Sequence, residues 1–77
     1  MTLSITRPSG LILVKGHPVQ GSGNEIFGIW PSGLVRQVTA AEFIAWGSPV
    51  PDRELEQGPA GDAEFNQLRA YDNALRA

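Results

Sequence analysis

A four-residue turn sequence, Pro-Ser-Gly-Leu, occurs twice in this chain, at 8–11 and at 31–34. Proline sets φ for an early turn position, and glycine accepts the positive φ that a later position requires. Since each copy lies between two β-prone runs, the repeat predicts two β-hairpins. The hairpins join Thr2–Thr6 to Leu11–Lys15, and Glu25–Trp30 to Leu34–Val38. Coincidence is the alternative explanation, because Pro-Ser-Gly is common in turns.

The chain has few means of stabilising a small fold by covalent or metal cross-links. It has 77 residues, no cysteine and a single histidine, His17. Disulfides are therefore excluded, and the common zinc sites lack ligands. Domains of this size without such cross-links usually depend on a partner. We expect one small domain that is stabilised by other protein subunits, with copies of itself as the first candidate.

The first strand of the second predicted hairpin is apolar on both faces. Ile26, Gly28 and Trp30 fall on one face, and Phe27 and Ile29 fall on the other. A strand of this kind is usually covered on both sides. In so short a chain, another molecule is a candidate for the second cover.

A short helix follows this hairpin. Thr39 and Glu42 form the pattern of a capping box, in which each side chain bonds to the other residue's backbone N–H. Phe43 and Trp46 then fall on one side of the helix, and Gly47 is suited to its C-terminal end. The pattern predicts a helix over residues 40–46.

The remainder of the chain predicts a linker and a second helix. Residues 48–61 contain three prolines and two glycines, which is typical of a linker or an extended segment. Asp62 is a plausible N-cap for a helix over residues 63–76. We therefore expect an α+β fold with antiparallel hairpins, organised as a β-hairpin and helix module (1–47), a linker (48–61) and a C-terminal docking helix (62–77).

The predicted C-terminal helix has a narrow apolar stripe that Asp72 interrupts. A helix of about 14 residues with so few large apolar side chains is not stable alone, so we expect it to dock on another subunit. The predicted partner-binding residues are Phe65, Leu68, Tyr71 and Leu75.

Charge and hydropathy exclude several classes of partner. Six basic and eight acidic residues give a net charge of −2. The basic stripe that neutralises phosphates is absent, so we expect no nucleic-acid binding. No apolar run approaches the 18 residues of a membrane span, and the N-terminus does not resemble a signal peptide. The lack of cysteine suits synthesis in the cytoplasm.

The sequence motifs that would indicate phosphate binding or catalysis are incomplete. Gly16 and Gly21 have the spacing of a phosphate-binding loop, but Ser22 stands where its lysine should follow. His17 is the only candidate general base, and no motif places a serine beside it. We expect no enzymatic activity, no catalytic residues, no cofactor and no metal site.

The two tryptophans have two possible roles. In a small domain they usually form the core, because they bury the most area per residue. Exposed aromatic rings, however, also stack on sugars. Trp46, on the apolar side of the capped helix, is expected to be buried. Trp30, at the edge of the turn, is the possible ligand platform.

Residues 26–47 together resemble small virion proteins, such as minor tail and tail-tip components, of tailed phages of actinobacteria. The resemblance lies in an aromatic-rich strand, a tight glycine turn, an arginine-bearing strand, a threonine helix cap and a helix ending in glycine. It implies a non-enzymatic assembly component incorporated in a virion, and it implies no catalytic residues. The alternatives are a small carbohydrate-binding module and a host-directed regulator that binds one protein.

Overall fold

The described residues form one four-stranded sheet and two helices. The computed structural model describes residues 6–17 and 25–76. The elements, in chain order, are β1 (Ile12–Lys15), β2 (Ile26–Ile29), β3 (Val35–Gln37), α1 (Ala40–Ala45), β4 (Arg53–Glu54) and α2 (Pro59–Arg76). The strand order is β3-β2-β1-β4, with β2 antiparallel to β1 and β3, and β4 parallel to β1. The α+β class is confirmed, although the sheet is mixed rather than antiparallel throughout.

Both Pro-Ser-Gly-Leu sequences form turns. In the second, the Trp30 N–H donates to the Leu34 carbonyl (2.9 Å) and Gly33 has φ +93°. The predicted hairpin of β2 and β3 is thereby confirmed. In the first, the Leu11 N–H donates to the Pro8 carbonyl (3.3 Å). The strand predicted before that turn, over residues 2–6, lies almost entirely outside the described residues.

Local hydrogen bonds at both ends define α1. The Glu42 N–H donates to Thr39 Oγ1 (3.1 Å), and the Thr39 N–H donates to Glu42 Oε1 (3.2 Å), which confirms the capping box. At the C-terminal end the Gly47 N–H donates to the Ile44 carbonyl, and the N–H of Ser48 donates to the Phe43 carbonyl. These two hydrogen bonds form the Schellman motif. The motif requires a positive φ, which glycine adopts readily, and Gly47 has φ +86°.

Apolar side chains lie on both faces of the sheet, as the sequence predicts. On the α2 face the buried residues are Val14, Phe27, Leu55, Phe65 and Leu68. On the opposite face Leu11, Leu13 and Val38 are buried, with Ile26, Trp30, Phe43 and Trp46 packed against them. The chain therefore supplies covering side chains for both faces itself, from α2 on one side and α1 on the other.

The segment expected to be a linker is part of the sheet. Asp52 and Leu55 donate their backbone N–H groups to the carbonyls of Leu13 (2.9 Å) and Lys15 (2.8 Å). Between them, β4 pairs with the last two residues of β1. The Leu55 side chain is buried in the core on the α2 face. Of the two alternatives for residues 48–61, the described structure favours the extended segment over the free linker, because its central part pairs with β1.

Helix α2 begins earlier than the sequence indicates. It starts at Pro59, and the Asp62 N–H donates to the Gly58 carbonyl (2.9 Å), so Asp62 lies in the first turn and is not the N-cap. Proline suits a first helical position, since its N–H would have no partner there. Gly61 is buried against the preceding loop, where an added Cβ would lie 1.8 Å from the Glu56 carbonyl oxygen.

Helix α2 packs on the chain's own sheet. The ring of Phe65 meets the ring of Phe27 edge to face, with centroids 5.7 Å apart. Phe65 and Leu68 are both buried in this core, so their assignment to a partner surface is wrong. The helix cannot swing away as a separate docking element, because β4 and Leu55 hold its start beside β1. No helix within the described residues is long and apolar enough to cross a membrane.

Candidate functional site

The edge strand β3 and the end of α2 form the most distinctive surface. The Trp30 N–H donates to the Leu34 carbonyl, and the Val38 N–H donates to the Ile26 carbonyl. The backbone N–H and C=O groups of the even-numbered residues in and beside β3 therefore point toward β2. Because neighbouring residues of a strand point their N–H and C=O groups in opposite directions, those of Val35 and Gln37 point away from the sheet. Since β3 is the last strand in the order, no strand of the described chain lies beside it.

Asp72 closes one end of this edge. Its Oδ1 atom accepts the outward N–H of Gln37 (3.0 Å), and the residue is only 7% exposed. The Gln37 carbonyl accepts a bond from Arg36 Nη1 (3.2 Å). Both backbone groups of Gln37 therefore have partners within the chain. The outward groups of Val35 form the part of the edge that lacks a neighbouring strand in the described residues.

Sequence reasoning missed this role of Asp72. The sequence pattern makes Asp72 a break in the apolar stripe of the C-terminal helix, whereas its side chain faces the sheet and accepts a hydrogen bond from the edge strand. A detectable signal existed, since an acidic side chain at an inward helical position needs a buried hydrogen-bond partner. Which backbone N–H provides it depends on how the helix crosses the sheet.

Two large side chains near the C-terminal end of α2 are half exposed. Tyr71 is 50% exposed and Leu75 is 55% exposed. They are four residues apart, so they share one side of the helix. Their assignment as partner-binding residues stays a prediction, unlike that of the buried Phe65 and Leu68. We call Leu34, Val35, Tyr71 and Leu75 together the β3-edge surface.

A second cluster surrounds Trp30 on the face opposite α2. Its ring lies over Gly28, where an added Cβ would be 2.6 Å from a ring carbon. The Arg36 guanidinium lies 4.5 Å from the centroid of the ring, in a cation–π contact. The same guanidinium donates to both carboxylate oxygens of Glu42, at 2.7 Å each. Glu42 also completes the α1 cap, so this network ties α1 to the sheet.

The ion pair shifts the pKa of both partners. The hydrogen bond from Arg36 is the largest cause that lowers the pKa of Glu42 to about 2, and the bond from the Thr39 backbone adds to it. The same bond raises the pKa of Arg36. Glu42 is thus a stable carboxylate with a structural role.

The surroundings of Trp30 restrict its use as a ligand platform. Arg36 lies over one face of the indole, and the ring also packs against Gly28, so little of the ring is left for a stacked sugar. Trp30 is half-buried. Trp46 is also half-buried rather than fully buried as predicted, because α1 is short and contributes no fully buried residue.

An open groove of about 440 Å³ lies between the sheet and α1. Its apolar lining includes Ile26, Val38, Phe43 and Pro51, and Lys15 is its ionisable group. The volume is in the range of small-ligand sites. Across residues 6–17 and 25–76, no three His, Cys, Asp or Glu side chains are grouped so that they could hold a metal ion.

Comparison of the chain with protein families, with curated proteins and with solved structures finds no match. The chemistry of its own surfaces therefore has to indicate what the chain does.

Proposed function

We propose that this chain is a non-enzymatic structural subunit that assembles with copies of itself. The observation that carries the proposal is the exposure of Tyr71 and Leu75 at the end of a helix whose other large apolar residues are buried. Exposed apolar side chains grouped beside an open strand edge are typical of surfaces that associate.

The size of the effect suits a weak, reversible association. Fully burying a large apolar side chain contributes about 1.5–3 kcal/mol. Since Tyr71 and Leu75 are half exposed, burying the rest of each contributes roughly half of that. Four such side chains in a dimer would then supply about 3–6 kcal/mol, which only offsets the lower estimates of the entropic cost of association, so further contacts of the β3-edge surface have to supply the net free energy.

The assembly that we propose for this subunit is the virion of a tailed phage, with the tail as the structure it joins. The support for this part is the resemblance of residues 26–47 to small virion proteins. A virion subunit would be made in the host cytoplasm and would meet many copies of itself at high local concentration. A weak pairwise contact is sufficient in that setting, because each subunit gains several contacts at once.

Sedimentation equilibrium tests the proposal. We expect the average mass to rise from monomer to a defined oligomer between about 1 µM and about 1 mM, which corresponds to free energies of about −8 to −4 kcal/mol. Leu75→Asp should remain a monomer. Asn73→Asp, which adds the same charge at an exposed polar position of the same helix, should assemble as the wild type does. A wild-type chain that stays monomeric throughout would refute self-assembly.

A carbohydrate site at Trp30 is the second candidate function. The observation that favours it is the partial exposure of the indole; the Arg36 guanidinium covers part of the ring but places hydrogen-bond donors beside it. In a Trp46→Phe background the fluorescence reports Trp30 alone. A saturable change with an oligosaccharide, lost in Arg36→Gln, would support this candidate, and no change across a glycan panel would refute it.

A further inference from the structure

We propose that the groove between the sheet and α1 binds a small monocarboxylate with an apolar body, and that the Lys15 ammonium holds the carboxylate. This site goes beyond the proposed self-assembly, since its lining shares no residue with the β3-edge surface. Its volume of about 440 Å³ accommodates a ligand of that class.

Neighbouring strands place one charged and several apolar side chains in a row along this groove. Lys15 of β1 lies directly opposite Ile26 of β2. On the other side of Ile26, the Val38 N–H donates to the Ile26 carbonyl (2.8 Å), which places Val38 next in the row. Phe43 of α1 and Pro51, just before β4, add to the apolar lining. The row therefore presents an ammonium group followed by apolar surface.

The apolar surface beneath α1 is incompletely covered by the chain itself. Phe43 and Trp46 pack against the core of this face but are only half-buried, and α1 contributes no fully buried residue. On the opposite face, α2 buries Phe65 and Leu68. The two faces of the sheet thus differ in how well they are closed. A ligand with an apolar body gains free energy by covering what α1 leaves exposed.

Lys15 differs from the arginines of the chain in having no partner for its charge. Four arginine side chains have partners of their own: Arg7 with Asp52, Arg36 with Glu42, Arg53 with Glu64, and Arg69 over the ring of Phe65. Within residues 6–17 and 25–76, Lys15 takes part in no ion pair, although Glu54 is its neighbour in β4. The half-buried ammonium is therefore available to an anion from outside.

The charges around the groove favour a carboxylate over a phosphate. An ammonium group donates charge-assisted hydrogen bonds to a carboxylate, and one positive charge matches one negative charge. The described lining contains no second cation for the additional charge of a phosphate. The chain as a whole has a net charge of −2, which also disfavours a dianion. Since the rest of the row is apolar, the ligand is a carboxylate on an apolar body.

Nuclear magnetic resonance of the Lys15 side chain tests the site directly, because Lys15 is the only lysine in the sequence. Isotopically labelled lysine then gives one set of side-chain signals. We expect hydrocinnamate to shift them saturably with a Kd of about 0.1–1 mM, a range that the limited binding energy per atom of a small ligand allows. The neutral hydrocinnamamide has the same body and should bind at least about tenfold more weakly, because charge-assisted hydrogen bonds are the stronger ones.

Acetate separates the apolar contribution from the ionic one. It keeps the carboxylate but lacks the body, so it should bind at least about tenfold more weakly than hydrocinnamate. Backbone amide signals then locate the ligand. Those of Val38 and Phe43 should shift with hydrocinnamate, whereas those of Asn66 and Asn73, at exposed positions of α2, should not.

Two variants separate the role of Lys15 from a general effect of charge. Lys15→Met removes the ammonium and keeps an unbranched side chain, so it should weaken hydrocinnamate binding at least about tenfold and leave hydrocinnamamide binding unchanged. Arg69→Met removes the same charge from α2, on the opposite face of the sheet. This control variant should bind hydrocinnamate as the wild type does.

Three results would overturn the site. The first is a wild-type chain whose lysine signals show no saturable shift. The second is equal affinity for the acid and the amide, or a loss in Arg69→Met as large as that in Lys15→Met. The third is a set of amide shifts at Trp30 and Arg36 instead of Val38 and Phe43, which would place the ligand outside the groove. None of these results depends on association, so they are distinct from the outcome of sedimentation.

Discussion

Replacing Gly61 with alanine tests whether α2 belongs to the domain's own core. By helix propensity alone, glycine to alanine in a helix stabilises by up to about 1 kcal/mol. Here, however, the new Cβ would lie 1.8 Å from the Glu56 carbonyl oxygen, 2.8 Å from the carbonyl carbon and 3.1 Å from the backbone nitrogen. These are backbone atoms of the loop after β4, so no side-chain rotation can relieve the overlap.

The start of α2 would have to move more than 1 Å from this loop, which would disturb the packing of Leu55 and Phe65. Overpacking of this kind costs about 1–3 kcal/mol and occasionally more. Because the overlap is with backbone, we expect Gly61→Ala to lower the unfolding free energy by about 1–3 kcal/mol net. In a domain of this size, that corresponds to a decrease in Tm of roughly 5–20 °C.

Urea and thermal denaturation followed by circular dichroism measure the effect. Ala70→Gly, at an exposed position of the same helix, gives the propensity scale and should cost about 1 kcal/mol. A Gly61→Ala protein as stable as the wild type, or more stable, would refute the packing of α2 against the β4 loop. It would also restore the interpretation of the segment before α2 as a free linker.

Three further predictions concern caps and charges. Thr39→Ala should lower the unfolding free energy by about 1 kcal/mol in urea titration, through loss of the α1 cap. Because the pKa of Glu42 in the folded state is lowered to about 2, the Glu42 carboxylate should stabilise the fold above about pH 4.5. This contribution to the unfolding free energy should be lost as the pH falls toward about 2. In Arg36→Gln this part of the pH dependence of the unfolding free energy should shrink. Asp72→Ala should cost about 1–2 kcal/mol and promote aggregation on light scattering, since the Gln37 N–H loses its acceptor; Asp72→Asn, which keeps an acceptor oxygen, should lose less.

Elements defined by neighbouring residues were predictable from the sequence. The turn at Pro31–Leu34 and the two caps of α1 are examples. Each depends on hydrogen bonds between residues at most five positions apart, such as Thr39 with Glu42 and Ser48 with Phe43. The conformations they require, a fixed φ at proline and a positive φ at glycine, are properties of single residues. Local chemistry was therefore sufficient for these elements.

The contacts that join distant segments were decided only by the tertiary structure. The parallel pairing of β4 with β1 joins residues almost 40 positions apart, and its charged two-residue strand has no β-like pattern. Asp72 has the same neighbours in sequence whether it faces solvent or a sheet edge. Its partner, the Gln37 N–H, becomes available only because β3 is the last strand of the sheet and α2 crosses it. Residue types and spacing do not specify such contacts, since they depend on the path of the whole chain.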